Sequence, residues 1–130
     1  MLELKTHLNI DRSLCGKVIK LEDGYAEVLL HTTQQMKADT QGLIHGGFIF
    51  GAADYTAMCA VNDPYVVLGS STSKFLAPVK VGDTVLCKAT IEMEANKGKK
   101  RMVDVVATVK DRIVFEGSFS TFVLDRHVLN

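Results

Sequence analysis

The sequence carries no net charge: Lys plus Arg number 15 and Asp plus Glu number 15 in 130 residues. That balance argues against a nucleic-acid partner held by general attraction to phosphate. No apolar run approaches the ~20 residues of a membrane span, so no membrane partner is expected. The opening Met1-Leu2-Glu3-Leu4-Lys5-Thr6-His7 is too polar for the apolar stretch of a signal peptide, and a cytoplasmic protein is the expectation. The three cysteines, Cys15, Cys59 and Cys87, are odd in number and widely spaced, with neither a disulfide framework nor zinc spacing. They read as small buried residues in a reducing compartment. No metal and no cofactor is called for. There is no internal repeat, no low-complexity segment and no linker. What is present is the balance of a globular protein, 47% hydrophobic and 23% charged. The length fits one domain, residues 1–130, which buries about 68% of its unfolded surface and so builds a core without staples.

Periodicity sets the order of elements. Lys17 to Leu21 and Tyr25 to His31 flank Asp23-Gly24, a hairpin-turn dipeptide. Thr32 to Ile44 is polar and without period, and a loop that long in a small domain is often functional. Phe48 to Val61 is continuously apolar and alanine-rich, with the length of a helix rather than a strand. Asn62-Asp63-Pro64 stops it. Val66 to Leu76 reads as strand. From Val85, apolar residues recur at every second position through Cys87, Ala89, Ile91 and Met93. Arg101 to Val109 repeats the pattern, and Ile113 to Val123 does so less strictly. Strict alternation marks antiparallel strands with one buried face. One helix among six strands with short turns is not a parallel βαβ arrangement. The expectation is an α+β fold, an antiparallel sheet curled around one buried helix.

Asp54 is the informative residue. It is the one carboxylate in the apolar helix, and its neighbours three and four residues away, Phe50, Gly51, Ala57 and Met58, offer no polar stripe. A carboxylate taken from water without partners is penalised, its pKa rises, and such groups concentrate where chemistry happens. The competing reading is an Asp bonded to backbone or paired at a subunit interface. His45-Gly46-Gly47 stands where the helix begins. Glycines there leave the unpartnered amides uncovered, and amides backed by the helix dipole favour a developing oxyanion. A plain glycine-containing loop entering a helix is the simpler alternative. Gly42 upstream is expected to add only flexibility. Gly46 and Asp54 are eight residues apart, ~12 Å along one helix axis. A reacting carbon must lie within about 3–3.5 Å of its attacking group. Two antiparallel helices from two subunits meet that demand, and a two-fold dimer makes the site twice.

At these residues the chain resembles a known family. Gly42-Leu43-Ile44-His45-Gly46-Gly47 with Asp54, and Phe75-Leu76-Ala77-Pro78-Val79-Lys80-Val81-Gly82-Asp83, resemble the phenylacetate-pathway branch of hot-dog acyl-CoA thioesterases, within the 4-hydroxybenzoyl-CoA thioesterase superfamily. The resemblance covers roughly residues 16 to 124. It implies a hot-dog fold, an acyl-CoA substrate, and a homo-oligomer, either a dimer or a dimer of dimers. It also implies site roles. The Gly46 amide would polarise the thioester carbonyl and His45 would shape the loop, with Gly47 beside it. Asp54, from the partner subunit, would be nucleophile or general base. Family members often carry Asn or Gln six residues before the histidine to orient water or substrate. Here that position is Asp39, which accepts but does not donate when ionised. The family's hydroxyl on the strand after the helix falls within Gly69-Ser70-Ser71-Thr72-Ser73, with Ser70 and Ser71 as substrate-binding candidates. Strand alternation puts Ser71 and Ser73 on the face of Phe75, and Ser70 and Thr72 on the other.

Lys97, Lys99, Lys100 and Arg101 form the one dense basic cluster, either a dock for the phosphates of CoA or a solvated turn. Phe48, Phe50, Tyr55 and Met58 line an acyl pocket or pack the core. Two rivals to a thioesterase stay open. One is a hot-dog hydratase or dehydratase of acyl thioesters. The other is a non-catalytic acyl-CoA-binding module, which has no evident need for a buried Asp54; 130 residues leave little room for an added DNA-binding segment.

Overall fold

A computed structural model describes residues 1–130. A short helix α1 (Arg12–Cys15) leads into the hairpin β1 (Lys17–Glu22) and β2 (Tyr25–His31). Gly24 turns that hairpin with φ +75°, a region glycine enters freely. The long helix α2 (Gly46–Val61) follows, then β3 (Val66–Phe75), β4 (Thr84–Ile91), β5 (Lys100–Val109) and β6 (Arg112–Val123). The six strands form one sheet in the order β1-β2-β4-β5-β6-β3, antiparallel throughout. α2 lies in its concave face, packed most heavily on β4, β2 and β5. This is the hot-dog fold, α+β. No helix is long and apolar enough to cross a membrane.

The helix sits close to the sheet because its buried positions are small. Ala52, Ala53, Ala57 and Ala60 are fully enclosed, as are Ala26, Ala89 and Ala107 of the sheet. Tyr55, Phe115 and Phe119 are the largest enclosed side chains. Termination differs from expectation in detail. Asn62 takes the left-handed conformation at φ 53°, and its N–H donates to the Met58 carbonyl at 2.8 Å. The helix is therefore closed two residues before Pro64. The Asn62 side chain also bonds outward: its Oδ1 accepts from the Lys5 N–H and its Nδ2 donates to the Glu3 carbonyl. The N-terminal segment is thereby tied to the far end of α2.

Alternation places Val85, Cys87, Ala89, Val103, Val105 and Ala107 inward as expected. It fails twice. Met93 leaves the strand in a 3-10 turn (Met93–Ala95) and is 54% exposed. On β6 the register slips between Ala107 and Thr108, which pair with Phe115 and Ile113. Val114 is the extra residue of that bulge; it turns inward while Ile113 is left 47% exposed. β1 and β3 are the sheet edges. β3 is paired to β6 alone, and Ser70, Ser71, Thr72 and Lys74 stand exposed along it.

Candidate active site

The polar loop before α2 is firmly held. Met36 is fully buried, and its carbonyl accepts the His45 N–H at 3.0 Å. Ile44 donates to the Val79 carbonyl at 2.8 Å, and Val81 donates to the Gly42 carbonyl at 2.9 Å. Gly42 holds φ +86°, so it is the residue that lets the loop reverse; flexibility alone does not describe it. Oδ1 of Asp39 accepts the N–H groups of Gln41 at 3.0 Å and Leu43 at 3.1 Å. That oxygen braces the loop.

These bonds fix the start of α2. His45 is the N-cap residue, yet its side chain makes no capping bond. The exposed ring folds back instead. It meets Phe48 edge-on at 6.2 Å, and a Cβ on Gly47 would lie 3.0 Å from it. Gly47 is thus the space the His45 ring occupies. Gly46 and Gly47, as the first helical residues, have no intrahelical acceptor. No loop or side-chain bond takes their N–H groups either. Two free amides with the helix dipole behind them form an anion-favouring end. Beside Gly46 opens an apolar trough of about 360 Å³, walled by Ile49, Phe75, Leu76 and Val79. Phe75 is 56% exposed there, 3.3 Å from where a Gly46 Cβ would stand. Nothing in the sequence pattern places Phe75 or Leu76 at Gly46; only the folded chain brings them there.

Asp54 sits further along the same helix, half-buried. Its Oδ1 is shielded from solvent and has no hydrogen-bond partner. Burial pushes its pKa from 3.8 up to about 6. Neither a backbone bond nor an ion pair within the chain satisfies it. The residues aligned with it, Gly51 and Gly47, carry no side chains, and a Cβ on Gly51 would meet nothing within 4 Å. This face of α2 is bare. On the side of α1, burial, with the Asp11 and Asp54 carboxylates adding to it, pushes the Cys15 thiol pKa up. Burial drives Cys59 and Cys87 up to about 12. All three cysteines are free and held as thiols, which makes them poor nucleophiles. Nowhere do three His, Cys, Asp or Glu side chains gather as a metal site would need.

The remaining candidates separate. Ser71 pairs with Phe119 on the helix side of the sheet, and its Oγ lies 2.6 Å from that of Ser73. Ser70 pairs with Ser120, and strand parity turns it to the opposite face. Tyr55 and Met58 are fully buried, and Phe50 packs on Phe115 and Phe119, so these aromatics and the methionine serve the core. In the basic cluster, Lys99 pairs with Asp125 at 3.0 Å, and the Arg101 guanidinium donates to the Gly98 and Lys100 carbonyls. Within one chain, then, Gly46, Gly47 and His45 come together, Asp54 stands ~12 Å away, and Asp39 lies in the supporting loop.

Residues 41–112, more than half of the chain, match the Thioesterase superfamily. The chain belongs to that superfamily. A methylthioribose-1-phosphate isomerase of Aquifex aeolicus is 53% identical over 95% of this chain, which spans only 27% of that protein. A transcription factor FapR of Thermoanaerobacter is 31% identical over 88% of this chain and 56% of its own length. The chain thus spans a quarter to little more than half of these curated relatives. An uncharacterized protein of Pyrococcus horikoshii has the same structure, with 49% identity, TM-score 0.95, and coverage of 99% of this chain and 98% of its own. At the level of fold alone, a hypothetical thioesterase of Streptococcus pneumoniae, solved with coenzyme A, is similar at TM-score 0.74 and 22% identity, covering 85% and 87% of the two chains.

Proposed function

We propose that the chain is an acyl-CoA thioesterase that hydrolyses its substrate to a carboxylic acid and free CoA, as a homodimer or a dimer of such dimers, in the cytoplasm. The observation that carries this reading is Asp54, a shielded carboxylate with no partner on a bare glycine face of an otherwise packed helix. A second copy of α2, laid antiparallel on that face, brings its Asp54 beside the Gly46 amide of the first. The amides of Gly46 and Gly47 then receive the carbonyl oxygen as it becomes an oxyanion. Either Asp54 attacks the thioester carbon and expels the thiolate of CoA, leaving a mixed anhydride that water then hydrolyses to the acid and free Asp54, or it draws a proton from a water that attacks the carbon and expels the thiolate. Ser71, on the helix side of the sheet, is the better placed of the two serine candidates. Coenzyme A in the S. pneumoniae protein of the same fold supports the choice of carrier.

The direct test is free-thiol release across a panel of acyl-CoAs, with Asp54→Asn as control. The shared site has its own test. Asp54→Asn and an inactive Gly46 variant are mixed and refolded. A shared site returns activity, up to about a quarter of wild type, because half the dimers are mixed and each holds one intact site. A site within one chain returns none.

The FapR relatives favour a second reading, a non-catalytic acyl-CoA-binding module. Tight binding without thiol release would establish it. A hydratase finds less support, since the His45 ring rests on Phe48 and Gly47 with no carboxylate beside it.

A further inference from the structure

The largest cavity of the molecule adjoins the site just described. It is a groove of about 940 Å³ at the β5–β6 turn. Three cations line it, Lys80, Lys110 and Arg112, with three carboxylates, Asp39, Asp83 and Asp111. It shares the wall Leu43, Pro78 and Val79 with the apolar trough that ends at Gly46. A ligand with its carbonyl at the Gly46 amide and an extended arm along the trough therefore delivers its far end into the groove.

The chemistry of the groove favours an anionic far end. Two of its carboxylates are engaged by the chain itself. Oδ1 of Asp39 accepts two backbone N–H groups. Oδ2 of Asp83 accepts the Lys80 N–H at 3.0 Å and lies 3.9 Å from the Arg112 guanidinium, which also donates to the Pro78 carbonyl at 3.0 Å. The ammonium groups of Lys80 and Lys110 pair with no carboxylate, and Asp111 is the one acidic group left unengaged. Lys110 moreover holds φ +54°, a left-handed conformation that suits glycine or asparagine better than lysine. The basic cluster Lys97–Arg101 offers no equal. It stands at the opposite end of β5, ~30 Å from Val109 by strand rise, with Lys99 and Arg101 already engaged.

We infer that this groove docks the phosphorylated nucleotide of coenzyme A, its diphosphate and 3′-phosphate held by Lys80, Lys110 and Arg112, while the pantetheine arm runs through the trough to Gly46. The inference rests on the acyl-CoA reading above and assigns the carrier's place. Lysine and arginine groups on phosphate oxygens give charge-assisted bonds, and their loss weakens binding in a salt-dependent way.

The test is titration of the intact protein with adenosine 3′-phosphate 5′-diphosphate, the nucleotide without its arm. Lys80→Glu and Lys110→Glu should each weaken binding about tenfold or more. Lys110→Gly, free of backbone strain, should weaken it with the fold intact. Asp111→Asn should tighten it, and Lys97→Glu should leave it unchanged. In turnover, the groove variants should raise KM for acyl-CoA about tenfold without changing kcat, and should leave the N-acetylcysteamine thioester of the same acyl group unaffected. Wild-type affinity in the groove variants overturns the inference, as does a loss that follows Lys97. So does a wild-type protein that cleaves acyl carrier protein thioesters and has no measurable affinity for the nucleotide. Thiol release with no effect of groove variants rejects the groove and keeps the thioesterase. Nucleotide binding lost in the groove variants, with no thiol released from any substrate, keeps the groove and rejects the hydrolase.

Discussion

The two halves of α2 have the same kind of sequence and different surroundings. From Tyr55 to Ala60 every residue is buried. From Gly46 to Asp54 buried residues alternate with open ones, and Gly47, Gly51 and Asp54 share an uncovered face. The cause lies elsewhere in the chain. The N-terminal segment and α1 roof the second half: Asn62 ties down Glu3 and Lys5, and the His7 ring lies 6.1 Å from Tyr55. Nothing in the chain roofs the first half. One helix thus works as an anchor at one end and as a presented surface at the other, and the single carboxylate falls at the border between them.

The comparison breaks most visibly at Asp54. Asp54→Asn should lower turnover at least ~100-fold in a thiol-release assay, the low end for loss of a general base, with the fold preserved because Asn is nearly isosteric. Unchanged turnover in the folded variant would remove Asp54 from the mechanism. In the anchored half the effect moves to stability. Met58→Ala leaves a cavity in a closed environment and should cost about 2–5 kcal/mol, read as a lower urea midpoint.

The border position has a pH signature. The Asp54 carboxyl titrates near 3.8 when unfolded and at about 6 when folded, so the folded state holds the proton more tightly. Below pH ~4 both states are protonated and nothing is lost. Between about pH 4 and 6 the unfolded chain gives up this proton while the folded state keeps it, so stability falls as pH rises and levels off above about 6. Asp54→Asn should remove that slope and exceed wild type by about 1–2 kcal/mol at neutral pH. This is less than the ~3 kcal/mol of two pKa units, since the site is partly open. Activity should run the other way, rising with pH to half its maximum near 6, because the ionised group does the work. A flat pH–rate profile across that range would separate Asp54 from the reaction.

The smallest effect sharpens the contrast. Gly51→Ala adds a methyl into open space on a helical residue and should stabilise the single chain by up to about 1 kcal/mol. If a second helix seats on that face, the same methyl should weaken assembly and activity. Sedimentation and thermal melts on one sample measure both. Gains in both would show the face to be unoccupied.

Much of this contrast was legible in the sequence. The apolar run and its lone Asp54 located the helix and the candidate site, and period-two alternation located the strands. The roof was not legible. α1 is four residues long, too short to show a period, and its signal was only Asp11, whose Oδ1 accepts from the Ser13 N–H as an N-cap. The bulge at Val114 was hidden too, because Ile113, Val114 and Phe115 are all apolar and alternation alone cannot choose which faces inward. Asp39 and Gly42 showed as loop residues, but their work depends on long-range partners at residues 79–81, which local pattern does not encode.

β3 has one sheet neighbour, and that neighbour is the last strand of the chain. During synthesis β3 emerges well before β6 and must wait, unpaired, while β4 and β5 are made. Strands that wait are where nascent chains misassociate. Ser70-Ser71-Thr72-Ser73, closed by Lys74, has the polar composition by which gatekeeper residues keep exposed strands hydrated. Replacing those hydroxyls with valines would leave an apolar strand waiting unpaired, so the yield of soluble protein should fall.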